Sequence, residues 1–462
     1  MSVSEIVCIS PVDGRQVARR ATAQPAAIEK ALQAGRAAQR EWVRVPLGER
    51  TAAMLRFLEA MRAQNEDVTR ELALQMGRPV RYGGEFRSFE ERVQYMVEIA
   101  AEALAPIAPA AKDGFSRYIR RDPLGLILTI APWNYPYLTA VNTVVPGLIA
   151  GNAVILKAAS QTILTGERFQ TAMDKAGLPK GLFQHLVLGH DDTAKMLAGG
   201  HVDHVSFTGS VAGGRAVERA AAGTFTSIGL ELGGKDPAYV RADADVAHAV
   251  ENLVDGAFFN SGQSCCGIER IYVHEQVWDP FVEGFAALTR QYVLGDPLEQ
   301  ASTLGPMAAT RFAEVVRRQT AQALAKGAKA HIDPAAFARN RDGTPWLAPQ
   351  VLTRVDHSMD VMMEESFGPV VGLMKVAGDD EALRLMNDSP YGLTASVWTR
   401  DQTAAERIGG GIETGTVYMN RCDYLDPGLA WTGVKNTGRG ASLSCIGYAM
   451  LSRPKSFHLR KV

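Results

Sequence analysis

The sequence predicts an α/β protein made of two parallel-sheet domains. Three observations predict it. At 462 residues the chain is longer than one hydrophobic core usually supports, so two or more domains are expected. From residue 124 onward, short apolar runs alternate with helical segments at the spacing of βαβ units, the pattern of a parallel sheet covered on both faces. Near residue 234 the alternation starts afresh, which predicts a second layered domain.

Residues 25–65 carry helical spacing, with Ala27, Ile28, Ala31, Leu32, Gly35 and Ala38 on one face and then Met54, Phe57, Leu58 and Met61. These read as scaffold, since Met and Phe stripes of this kind go to cores. An Ala/Pro-rich stretch then leads into the strand-like Ser116-Arg117-Tyr118-Ile119-Arg120-Arg121, and Lys455-Ser456-Phe457-His458-Leu459 near the end is strand-like too. On sequence alone both are ordinary edge strands as readily as strands that face another subunit. Strands of the first α/β run are expected at 124–131, 153–156, 183–188, 204–207 and 227–230, with helices at 161–176, 191–197 and 216–222. The second run predicts strands at 237–240, 269–274, 370–376, 395–399 and 415–420, with helices at 245–260, 276–292, 308–326 and 380–386.

Composition excludes several classes of function. Hydrophobic content of 46% and charged content of 21% are those of a soluble globular protein, and a net charge of −1 leaves no basic surplus for nucleic acid. The longest apolar runs, such as 124–131, are too short to span a bilayer, so no membrane segment is expected. Five cysteines without disulfide-framework spacing, and an opening Met1-Ser2-Val3-Ser4-Glu5 that lacks the pattern of a leader, predict a cytoplasmic protein. His201, Asp203 and His204 have a possible metal-ligand spacing but no third cluster accompanies them, so no metal site is expected.

Chemistry concentrates in four short segments. Asn260-Ser261-Gly262-Gln263-Ser264-Cys265-Cys266-Gly267 puts a thiol in a small-residue turn between a helix and a strand, where a backbone can approach a substrate closely. A thiol there is either a nucleophile or a buried structural cysteine; its microenvironment decides. Adjacent cysteines rarely meet disulfide geometry, so Cys266 reads as a neighbour. Ile130-Ala131-Pro132-Trp133-Asn134-Tyr135-Pro136, Gly229-Leu230-Glu231-Leu232-Gly233-Gly234-Lys235 and Glu364-Glu365-Ser366-Phe367-Gly368-Pro369 each set a polar side chain among glycines, prolines and aromatics.

Together the four segments, in this order, resemble the aldehyde dehydrogenase superfamily from about Pro11 to the end. The resemblance implies two Rossmann-like domains: a dinucleotide-binding domain at 1–104 and 124–233 and a catalytic domain at 234–449. It further implies oligomerisation strands at 105–123 and 450–462, and with them a homodimer or homotetramer. The late Gly-x-Lys turn at Lys435 also matches and reads as structural.

The implied cofactor is NADP or NAD. Phe207-Thr208-Gly209-Ser210-Val211-Ala212-Gly213-Gly214 follows a strand and opens a helix, where glycines and free N–H groups suit a pyrophosphate. It is not the G-x-G-x-x-G fingerprint; the resemblance assigns Gly209, Ser210 and Gly214 to the cofactor. It likewise assigns Lys157 to the adenosine ribose, Glu365 and Phe367 to the nicotinamide side, and Trp133 and Leu232 to the same site. NAD-preferring relatives carry a glutamate where this chain has Ser160, and a hydroxyl, unlike a carboxylate, does not repel a 2′-phosphate, so NADP acceptance is predicted.

For the reaction, the resemblance implies that the Cys265 thiolate adds to an aldehyde, with Asn134 and the Cys265 N–H stabilising the oxyanion. Glu231, flanked by leucines and glycines, becomes the base for thioester hydrolysis. By position Tyr135, Leu138, Asn142, Ser264, Leu425 and Trp431 line the substrate entry, favouring an apolar or aromatic aldehyde, while Arg421 in the same loop suits a semialdehyde. This loop departs from the family's Pro-Phe-Gly-Gly version, and the usual Gly-Arg-Glu has become Gly438-Arg439-Gly440-Ala441-Ser442. A CoA-acylating semialdehyde dehydrogenase is the alternative chemistry, and a catalytically silent binding protein of this fold the alternative class.

Overall fold

Valine, isoleucine and leucine fill the strands that the alternation marks, because a strand covered on both faces has no polar side to present. In the computed structural model, which describes residues 4–461, Leu126–Ile130 and Ala153–Lys157 are buried throughout and pair in parallel, Leu126 opposite Ala153 and Ile130 opposite Lys157. The sheet they centre has the order Gly438–Arg439, Ser227–Glu231, His204–Thr208, Leu126–Ile130, Ala153–Lys157, Phe183–His185. From Leu126–Ile130 the chain builds outward to Phe183–His185, then returns to build the other half from His204–Thr208. Leu126–Ile130 and His204–Thr208 therefore flank a topological switch point, the place where a doubly wound sheet opens a crevice at its carboxyl ends.

The second sheet runs Lys329–Ala330, Gln350–Thr353, Val370–Val376, Ile268–His274, Asp236–Val240, Thr394–Trp398, Thr416–Met419. All its neighbours are parallel except the first pair. One core underlies the first sheet and its helices, and two more cover opposite faces of the second. Only Leu232-Gly233-Gly234-Lys235 separates the end of Ser227–Glu231 from the start of Asp236–Val240. The carboxyl edge of one sheet is thus tied directly to the amino edge of the other.

The mixed α/β architecture with parallel sheets is the one expected, and the differences have local causes. The helix expected at 245–260 is Val246–Phe258: Asp245 accepts a hydrogen bond from the His248 N–H as its cap, and left-handed backbone at Asn260 and Ser261 ends it. The helix expected at 161–176 is Leu164–Lys175, preceded by a tight turn over Ser160–Thr162. Similarly, 276–292 divides into a turn and Trp278–Thr289. Strands of two to four residues escaped prediction, among them Gln350–Thr353, Lys329–Ala330 and Gly438–Arg439, the last pairing antiparallel with Ser227–Glu231. So did the hairpin Glu5–Ile9 with Gln16–Ala21.

Phe115–Pro123 and Ser452–Arg460 pair with each other, Phe115 opposite Arg460 and Pro123 opposite Ser452, as a separate two-stranded sheet. Among the described residues no helix is long and apolar enough to cross a membrane. The leader reading of Met1-Ser2-Val3, and Val462, lie outside the described residues.

Gly438 has φ +115°, and a Cβ there would lie 2.2 Å from the Leu230 carbonyl oxygen. Gly438→Ala is expected to cost about 2 kcal/mol or more through backbone strain and loss of that strand pairing. A fall in the denaturant midpoint measures it.

Candidate active site

The four motif segments converge because glycine lets them. A Cβ on Gly234 would lie 2.5 Å from the Cys265 carbonyl oxygen, and one on Gly233 would lie 2.1 Å from Glu365 Oε1. Side chains at these two positions would push the cysteine loop and the Glu365 turn away from the end of the Glu231 strand. The Gly234 N–H donates to Glu365 Oε1 at 3.0 Å. Beside it the buried Lys235 Nζ donates to Glu269 Oε2 at 2.5 Å and to Ser366 Oγ at 3.0 Å, while Glu269 accepts the N–H groups of Ser366 and Phe367. One buried ion pair therefore fixes the whole Glu364–Pro369 turn by its backbone.

Cys265 is part-buried and lines a cavity of about 330 Å³. Glu231, from the opposite sheet, lines the same cavity. Its Oε1 accepts the Ser442 hydroxyl at 2.6 Å and its Oε2 the Thr208 hydroxyl at 3.1 Å. Burial pushes the Glu231 carboxyl above the usual range, and the two hydroxyls and the charge of Arg92 oppose that rise. Asn134 does not line the cavity, but its Nδ2 donates to the Gln263 carbonyl at 3.2 Å, two residues before the thiol. One N–H of that amide is therefore engaged, and the other has no acceptor among the described residues.

Of the expected substrate contacts, Tyr135, Leu138, Asn142, Ser264, Leu425 and Trp431 all line the cavity. Arg421 does not: it is exposed, with its guanidinium 3.5 Å from the centre of the Tyr424 ring. Left-handed backbone at Asn420 and Asp423 turns the loop so that Asp423, not Arg421, faces the cavity. Asp423 accepts Cys266 Sγ at 2.9 Å and Ser264 Oγ at 3.3 Å, and burial raises its carboxyl to about 7. Sequence reasoning also missed three cavity arginines, Arg78, Arg87 and Arg92, and the buried Glu85 that pairs with Arg78 at 3.1 Å.

The expected cofactor residues gather along the crevice of the first sheet. Ser210 caps the helix Val211–Ala221, its Oγ accepting the Gly213 N–H at 3.2 Å. Gly214 packs against Leu232, where a Cβ would meet that side chain at 2.7 Å, and Gly209 likewise packs against the Phe207 ring. Lys157 is buried at the carboxyl end of its strand with no hydrogen-bond acceptor among the described residues, and Ser160 is exposed at the turn that follows. Trp133 stacks on Phe312 and meets the Phe367 ring edge-on at 5.5 Å. Burial raises the Glu365 carboxyl to about 8. A buried ammonium without an acceptor, a capped helix N-terminus and an acid with one free oxygen fit a dinucleotide with a phosphate, a ribose and a cationic ring. The His204 ring bonds to the hydroxyls of Ser227 and Ser206.

A model of the aldehyde dehydrogenase family matches residues 1–456. The chain belongs to that family. It is 32% identical to an aldehyde dehydrogenase of Paenarthrobacter nicotinovorans over 96% of this chain and 97% of that one. It is 31% identical to the succinate semialdehyde dehydrogenase [NAD(P)+] Sad of Escherichia coli (strain K12), over 96% and 95%. The solved structure of Gox0499, described for its cofactor and substrate selection, superposes with a TM-score of 0.91 at 30% identity, covering 98% of this chain and 99% of that one. Members of this family oxidise aldehydes, which suits a cavity lined by both a thiol and a carboxyl.

Ser442 stabilises ionised Glu231, so Ser442→Ala is expected to raise the Glu231 pKa further. A carboxyl accepts a proton only when ionised, so if Glu231 serves as the base, oxidation rises as pH climbs through its pKa. The rising limb of the kcat profile is therefore expected to move to higher pH in Ser442→Ala, with rates converging in more alkaline solution; pH–rate profiles of the two proteins measure it.

Proposed function

We propose that this chain oxidises an aldehyde to its carboxylic acid with NAD(P)+, through a thioester on Cys265 that water activated by Glu231 hydrolyses. The observation that carries this reading is the presence of Cys265 and Glu231, from different sheets, in the lining of one cavity. The Cys265 thiolate adds to the aldehyde carbon, and the free N–H of Asn134 and the Cys265 backbone N–H stabilise the oxyanion. Lys157, Ser210, Glu365 and Phe367 would hold the dinucleotide, whose bound nicotinamide supplies acceptance of the hydride from the aldehyde carbon. Glu231 then takes a proton from water as the water oxygen adds to the thioester carbon; the carbon–sulfur bond breaks, the acid leaves and the thiolate returns. Raised by burial, Glu231 is basic enough for that task, and Ser442 and Thr208 keep it oriented.

NADP acceptance rests on Ser160, exposed three residues beyond Lys157 with a hydroxyl in place of a carboxylate. The double cofactor in the name of Sad is consistent with this. The aromatic and leucine wall of the cavity supports an apolar or aromatic aldehyde and its arginines a semialdehyde. The open edges of the Phe115–Pro123 and Ser452–Arg460 sheet support a homodimer or homotetramer, edges being what subunits pair with. Free thiols at all five cysteines suit the cytoplasm.

A panel of aldehydes offered with NAD and with NADP tests the reading. Cys265→Ser is expected to abolish oxidation, and Glu231→Gln to give a burst of reduced cofactor without steady turnover. Near-normal activity of Cys265→Ser overturns the proposal, and acid formation only with added CoA would reassign the acyl acceptor. A strong preference for NAD in kcat/KM rejects the Ser160 argument.

A further inference from the structure

We propose that Asp423 is a positioning residue that selects Cys265, and not the adjacent Cys266, as the nucleophile of this site. The inference rests on the reading of Cys265 above and adds the group that tells the two thiols apart. Both cysteines line the same cavity, as the central residues of a turn that the Gly267 N–H closes on the Ser264 carbonyl at 3.2 Å. Their bonds differ. The Cys266 thiol is 2% exposed and donates to Asp423 Oδ1 at 2.9 Å, and the Ser264 hydroxyl donates to the same oxygen at 3.3 Å. One carboxylate oxygen thus holds the residue on each side of Cys265, and the thiol between them is the one left part-exposed.

Asp423 can act as a clamp because its own loop is pinned on both sides. Before it, Asn420 Nδ2 donates to the Thr399 carbonyl at 2.7 Å, and the Thr399 N–H donates back to Asn420 Oδ1 at 2.9 Å. After it, the Tyr424 carbonyl accepts the Tyr418 hydroxyl, and the Tyr424 hydroxyl donates to Glu91 Oε1 at 2.5 Å. Left-handed backbone at Asn420 and Asp423, with φ 52° and 50°, turns the carboxyl inward between these anchors. Asp423 forms no salt bridge among the described residues, so its side-chain bonds go to the cysteine turn. A thiol reacts as its thiolate, and a thiolate at Cys266 would lose the bond to Asp423 and face the ionised carboxyl. The Cys266 thiol is accordingly held well above its usual range, by the neighbouring Cys265 sulfur, by burial and by the charge of Asp423. The acid therefore silences one thiol and fixes the turn that presents the other.

Alkylation by iodoacetamide, resolved sulfur by sulfur through peptide fragmentation, tests this without aldehyde or cofactor. In the unaltered protein the rate at Cys265 is expected to exceed that at Cys266 by about tenfold or more, the scale of a hydrogen bond to a charged group. Asp423→Leu fills the same space without an acceptor; it should shrink that ratio by about tenfold, with label appearing on Cys266. The same variant should lower the pre-steady-state burst of reduced cofactor by about tenfold and leave KM for the cofactor unchanged. Asp423→Asn, which keeps an oxygen acceptor, should recover part of both losses. Should Asp423→Leu fail to fold, Cys266→Ala should slow alkylation of Cys265, and Cys266→Ser, which still donates to Asp423, should recover part of that loss. Faster labelling of Cys266 than of Cys265 in the unaltered protein overturns the proposal. An unchanged ratio in Asp423→Leu, with Cys265→Ser inactive, overturns it and leaves the Cys265 chemistry standing; full activity of Cys265→Ser overturns both.

Discussion

The buried pair of Arg78 and Glu85 is the constraint on which this site depends. Its side chains are 3% and 2% exposed, and every strong bond either can make is directed to a different piece of the site. Arg78 reaches the cysteine loop at Asn260 and the strand exit at Asn134, while Glu85 Oε2 accepts the N–H groups of Tyr137 and Leu138 that open the helix Pro136–Ile149. The Tyr135 ring lies under the guanidinium, 4.5 Å away. Burial raises the Glu85 carboxyl, and Arg78 and the Leu138 N–H oppose the rise. Such a pair gains little over an apolar replacement, yet losing one partner leaves an unpaired buried charge, a loss of about 3–5 kcal/mol. The arrangement therefore serves registration more than stability: it holds the strand exit at Asn134, the thiol loop and the pocket helix to one another.

A second buried pair, Lys235 with Glu269, does the same work on the cofactor side. Both cations are consumed by acids that lie outside the chemistry, and this shapes the electrostatics of what remains. The carboxyls of Glu231, Glu365 and Asp423 are all buried without a salt bridge among the described residues, and all three are pushed above the ordinary carboxylate range. Neutral donors, two hydroxyls at Glu231 and a backbone N–H at Glu365, orient these groups without quenching their basicity.

How far the sequence could be read follows from what each residue shows in one dimension. Both parallel sheets were legible because long buried strands have an unambiguous composition, and the cavity wall was legible where it sits next to a motif, as with Tyr135 and Ser264. Arg92 was not, because it lies on the helix Phe86–Glu98 among Arg87, Glu90 and Glu91, where a charge reads as solvent-facing. Only the packing of that helix against Pro136–Ile149 encloses it. Asp423 and Arg421 are two residues apart in one loop, and which of them turns inward depends on left-handed backbone that neither asparagine nor aspartate announces. Strands of two residues, such as Gly438–Arg439, carry no period at all; their pairing is decided by the neighbour they meet.

That short strand also explains how a departure from the family pattern can be accommodated. Gly438 pairs opposite Glu231 and Arg439 opposite Leu230, so the late loop is zipped onto the very strand that bears Glu231. Leu232 N–H donates to the Thr437 carbonyl, and Trp431–Thr432 pairs with Ala441–Ser442, which brings the Ser442 hydroxyl back to Glu231. A serine here is short and neutral, so it must be carried to the carboxylate by backbone, and the backbone does so. A longer ionised group at the same point could reach Glu231 without that precision but would change its charge environment. Geometry fixed by two strand pairings thus permits a small donor to orient the buried Glu231 carboxylate and to oppose, without a charge of its own, the rise that burial imposes.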